Sequence, residues 1–152
     1  MKRIAVALSL VFFAVNGIAG ETWRKETFES GETAYASGYM ASFNTFFLIG
    51  ERGLSVVFTS PTGKSMVDGD CKISIDDQPE EPCVRVNGIF TKPDNIGNRL
   101  ANAKKVMLTA RICDNSPICR WAITGGKFEK ISWEWDEPLS TTFPDFKPYP
   151  VK

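Results

Sequence analysis

Residues 127–135 read KFEKISWEW. From Ile131 the apolar residues fall at every second position, so Ile131, Trp133 and Trp135 share one face of an extended chain and Ser132, Glu134 and Asp136 the other. A period of two marks a half-buried strand. Indoles dominate both cores and interfaces because of the area they remove from water. The pattern predicts a strand whose tryptophans face a core. Trp133 and Trp135 are also the candidate aromatic platform for a partner.

Working outward, the same grammar recurs. FNTFFLI and GLSVVFT read as two strands joined by the turn GERG, and KISI and CVRV as two more around DDQPEEP. SPTGKSMVDGD is a loop. In TKPDNIGNRLANAKKV, Asp94 after Pro93 is an expected N-cap, and Ile96, Leu100, Ala103 and Met107 fall at helical spacing across Gly97. KVMLTARIC follows as a strand, and LTARIC and ICRWAI fold back on each other at DNSP. The tail PLSTTFPDFKPYPVK carries Pro138, Pro144, Pro148 and Pro150, which argues against helix and central strand there. The expected fold is mainly β: a disulfide-stapled, β-sandwich-like single domain with one short helix over residues 20–137, followed by a Pro-rich C-terminal tail over 138–152.

The chain opens MKRIAVALSLVFFAVNGIAG: two basic residues, an apolar run from Ile4 to Val15, then small residues ending at Ala19 and Gly20. That order is a secretory signal peptide over residues 1–19. The run is too short for a span, which needs about 20 apolar residues. A periplasmic or secreted location follows, and no membrane span is expected. In an oxidising compartment an even cysteine count forms disulfides. The four are Cys71, Cys83, Cys113 and Cys119, expected to pair locally as Cys71 with Cys83 and Cys113 with Cys119. A hairpin centred on Ser116 sets 113 opposite 119. Around DDQPEEP, by contrast, the simplest register sets Cys83 opposite Ile75.

Two of the 18 basic residues, Lys2 and Arg3, leave with the signal, so 16 face 18 acidic ones and the net charge becomes −2. Nothing in this charge pattern suggests nucleic-acid binding. The chain has no histidine, which removes the usual general base, the Ser-His-Asp and Cys-His nucleophile systems, and His-ligated metal sites. SPTGKS contains a Gly-Lys-Ser, but the glycine that a phosphate loop needs five residues earlier is Phe58. No cofactor and no catalytic residue is expected. Asp76, Asp77, Glu80 and Glu81 lack the Asp-x-Asp-x-Asp-Gly spacing of a calcium loop, so no metal is expected either. With Pro79 and Pro82 they read as a solvated hairpin turn, and as the candidate contact for a basic protein partner.

Between about Gly53 and Ile131, LSVVF, KISIDDQP, LANAKKVMLTARI and WAITGGKFEKI stand in an order that resembles small exported bacterial β-sandwich proteins of the invasion-associated locus B type. The paired cysteines of CDNSPIC are similar to the short cysteine pairs of that family. The chain departs from the pattern in setting Cys71 within a strand-like stretch and the helix before the CDNSPIC pair. The resemblance implies an exported β-sandwich without an established catalytic site. The expected function is an exported, non-enzymatic binding protein, of the inhibitor or immunity type, acting on a hydrolase or toxin. Its alternatives are a glycan hydrolase built on carboxylates such as Glu134, Asp136 and Glu137, and an envelope or adhesion component using its tail as an extended strand. The oligomeric state is left open.

Overall fold

The computed structural model describes residues 22–37, 45–58, 63–114 and 126–147. The expected signal peptide, Cys119 and the stretch CRWAI lie outside them. The fold is mainly β, in two antiparallel sheets. The first has the order β1 (Arg24–Thr27), β2 (Thr33–Ala36), β3 (Thr45–Gly50), β4 (Gly53–Phe58). The second runs β10 (Lys127–Glu134), β9 (Lys105–Asp114), β6 (Gly69–Ile75), β7 (Glu81–Val86), β8 (Ile89–Lys92), and β5 (Lys64–Met66) pairs with the far end of β9. Alternation explains the division of faces. Phe47, Ile49, Leu54 and Val56 turn inward from the first sheet, and Ile73, Val106, Leu108, Ile131 and Trp133 from the second, into one core. Among the described residues no helix is long and apolar enough to cross a membrane.

Trp133 and Trp135 are each about 1% exposed, while Ser132, Glu134 and Asp136 face solvent, as the period of two requires. This corrects the platform reading: neither indole can meet a partner. Phe47 lies 4.1 Å from Trp133 between ring centroids, Trp23 stacks on Trp135 at 5.0 Å, and the Trp133 indole N–H donates to the Thr45 carbonyl at 3.2 Å.

The Cys71–Cys83 disulfide is present, and the two residues are direct cross-strand partners. The expected offset to Ile75 is overturned because pairing ends at Ile73 with Glu81. Asp76 and Asp77 both take left-handed backbone conformations (φ 50° and 61°), which lengthens the connection and moves the register. Cys113 is also disulfide-bonded.

Two further expectations change. The first helix, α1 (Ile96–Ala101), is capped by Asn95 in the left-handed region and not by Asp94, and it ends before Met107, which belongs to β9. A second short helix, α2 (Leu139–Thr142), stands where the prolines argued against one. Pro138 sits at its N-cap, a place where a missing N–H breaks no helical bond. Leu139 is fully buried, Phe143 and Phe146 pack on Tyr35, and Ser140 donates to Asn102 at the end of α1 at 2.8 Å. Residues 138–147 are thus docked on their own chain and do not form an extended arm.

Because the indole of Trp133 joins both sheets, Trp133→Ala should cost about 3–5 kcal/mol, against a smaller loss for Trp133→Phe. Urea denaturation at neutral pH measures both.

Candidate functional site

The acidic turn was the expected contact, and its charges prove to be engaged. The Asp76 carboxylate accepts the backbone N–H groups of Lys104 and Lys105 at 2.9 and 3.0 Å, and the Asp76 N–H donates to the Lys105 carbonyl at 2.9 Å. Asp77 pairs with the Lys105 ammonium at 2.9 Å, and this hydrogen bond holds the lysine pKa above its ordinary value. Glu81 receives both terminal nitrogens of Arg99 from α1, at 2.7 and 2.6 Å. That bond lowers the Glu81 pKa and raises that of Arg99. Only Glu80 stays exposed without such a bond among the described residues. The turn therefore latches β6 and β7 to α1 and to the start of β9, which corrects the reading of it as merely solvated. Glu134 and Asp136 line a groove of about 380 Å³ with Asp76, Asp77, Lys104 and Lys105. Among the described residues no cluster of three or more His, Cys, Asp or Glu side chains is arranged to hold a metal ion.

A larger concavity lies elsewhere, where the edge strands β4 and β8 approach each other. It encloses about 610 Å³ between the β3–β4 turn, strand β8 and the loop entering α1. Leu54, Ile89, Phe90 and Ile96 give it an apolar lining, and Glu51, Arg52 and Asp94 a charged rim. Gly53 is required at the wall: its φ is +122°, and a methyl group there would stand 3.0 Å from the Ile89 side chain.

A carboxylate–arginine pair, its guanidinium largely buried and its carboxylate exposed, fixes the β8 wall. The β7–β8 turn is Asn87–Gly88, both in left-handed conformations, which suits a two-residue hairpin. Asp68, from the kink between β5 and β6, accepts the N–H of Asn87 at 2.9 Å and of Gly88 at 3.1 Å. It also pairs with Arg85, which donates to the Met66 carbonyl at 2.6 Å. Burial lowers the Arg85 pKa, and the Asp68 charge opposes that shift.

Two features mark the cleft as unsatisfied. Glu51, Arg52 and Asp94 form no ion pair among the described residues. Asn98 of α1 lines the cleft, and its Oδ1 is shut off from solvent with no hydrogen-bond donor in reach. A buried acceptor left in that state costs about 1–3 kcal/mol. The sequence signal for this site was slight: the turn ERG and the run PDN, lying about forty residues apart, carry its rim. Comparison with family models, curated proteins and solved structures finds no match to this chain.

The Glu81–Arg99 bridge is partly solvent-exposed, so Glu81→Gln should cost only about 0.5–1 kcal/mol at neutral pH. Glu81 has a depressed folded-state pKa, so its contribution is complete above the ordinary value of 4.5 and is lost as pH falls through the lower folded value. The stability gap between wild type and Glu81→Gln should therefore close on acidification below 4.5, which chemical denaturation across pH 3–7 measures.

Proposed function

We propose that the protein is an exported, non-enzymatic binding protein that holds a segment of a protein partner in the cleft between β4 and β8. The single observation that carries this reading is the unsatisfied Asn98 acceptor beside an apolar lining and a rim of uncommitted charges. A few convergent polar groups over an apolar floor describe a recognition pocket. Two carboxylates on the rim, Glu51 and Asp94, against one guanidinium, Arg52, favour a partner segment with a cationic side chain and a donor for Asn98. An inhibitor or immunity role against a basic hydrolase or toxin fits that chemistry, and the resemblance to exported invasion-associated locus B proteins supports the same class. The disulfide accords with export.

A second reading has one observation in its favour. Glu51 and Asp94 stand on different walls of the cleft, and glycan hydrolysis uses a pair of carboxylates flanking one bond. Both are solvent-exposed, whereas a glycosidase acid normally sits in an apolar setting, so binding is the preferred reading.

Capture from cell-envelope extract should yield a stoichiometric partner. Glu51→Lys with Asp94→Lys should weaken its binding by tenfold or more, about 1.4 kcal/mol or above, with little change in Tm. A partner held equally well by the double variant would move the contact elsewhere. Glycan turnover abolished by Glu51→Gln or Asp94→Asn would establish the enzyme instead.

A further inference from the structure

Besides the three-residue β5, which pairs only with β9, the two sheets present four edge strands among the described residues, and three of them are closed to strand addition. β1 is four residues long and carries Arg24, Lys25 and Glu26. β8 is also four residues, its pairing is broken by an irregularity at Val84/Arg85, and Pro93 follows it. β4 faces β8 across the cleft. Short length, bulges, charge and proline are the ordinary means of blunting an edge. β10 differs: eight residues pair with β9 without a break, and no proline or glycine interrupts them.

The direction of its free backbone groups follows from the hydrogen bonds at the strand ends. The Trp135 N–H donates to the Lys104 carbonyl, so the odd-numbered residues of β10 turn their N–H and C=O groups toward β9. The carbonyls of Lys105 and Arg111, opposite Glu134 and Phe128, point instead to Asp76 and Val67 on the other side of β9, as the same alternation demands. Phe128, Lys130, Ser132 and Glu134 therefore present their backbone groups outward, and no strand pairs with them among the described residues. Their side chains are exposed, Phe128 at 57%.

We propose that β10 is a self-pairing edge, through which two copies of this chain join antiparallel about a twofold axis at Ser132 into one continuous sheet. In that register Lys130 of each copy faces Glu134 of the other, and Ile131 lies opposite Trp133 on the inner face. An axis at Lys130 would oppose two lysines, and an axis at Ile131 would set Lys130 against Ser132 with no countercharge. Directly opposed unlike charges stabilise a strand pair and like charges destabilise it. Lys130 and Glu134 thus exclude an arbitrary strand and accept a copy of themselves. Because β10 and β8 lie at opposite ends of the second sheet, the cleft stays open in both copies. The inference is independent of what the cleft binds.

Sedimentation velocity of the mature, disulfide-bonded protein should show a concentration-dependent dimer. Lys130→Glu should weaken it by about tenfold or more, and Lys130→Glu with Glu134→Lys should restore it, which separates lost pairing from lost folding. Ser132→Cys should give a covalent dimer under mild oxidation, since residues facing each other across the axis come within disulfide reach. A monomer at all concentrations up to about 100 μM, far above the Kd range of stable pairs, would overturn the proposal. So would a dimer indifferent to Lys130→Glu, a charge swap that fails to restore it, or a dimer that Ser132→Cys does not cross-link.

Discussion

The contact on which the rest of the structure depends is the aromatic seam between the two sheets. Phe47 comes from the first sheet, Trp133 from the second, and Trp23 and Trp135 stack beside them. Buried aromatic rings remove 150–250 Å² each from water, and tilted or offset contacts add a smaller, geometry-dependent term. The Trp133–Thr45 hydrogen bond adds direction, because it joins an indole of one sheet to a backbone carbonyl of the other. Hydrophobic area alone would let the sheets slide. A ring of this size with one fixed polar contact does not.

That seam was the most legible part of the chain, since alternation in ISWEW is a statement about faces and faces decide burial. The hairpin at GERG and the strand KVMLTARIC were legible for the same reason. What escaped was set by distant partners. The turn after β6 is held by Asp76 binding the N–H groups of Lys104 and Lys105, 28 and 29 residues away, and local turn chemistry cannot see that bond. The α2 helix escaped because its support is tertiary: four residues have little helical stability alone, and the burial of Leu139 holds them. The cleft escaped because its rim belongs to segments that meet only once both sheets are built.

Charge explains why the proposed contact is the cleft and not the turn. In sequence, Asp76, Asp77, Glu80 and Glu81 look like the densest free charge on the molecule. In the fold three of them meet backbone N–H groups, Lys105 or Arg99, and a partner would have to break those bonds before gaining its own. Glu51, Arg52 and Asp94 carry less charge, yet none of it is engaged by an ion pair among the described residues, and it borders an apolar lining.

Charged contacts also tie the cleft to the rest of the molecule. Its β8 wall is held by Asp68, whose carboxylate fixes both N–H groups of the Asn87–Gly88 turn while Arg85 anchors to the Met66 carbonyl. Its helical wall is held by Arg99 through Glu81 on β7, and β7 is bonded to β6 through Cys71–Cys83. The β8 wall and the helical wall are therefore each tied to the β5–β7 part of the second sheet. A ligand entering between them would meet walls already in place, and little of its interaction energy would go to ordering them. The disulfide, the acidic turn and the Asp68–Arg85 pair, each of which looks merely structural alone, together make the cleft a pre-formed one.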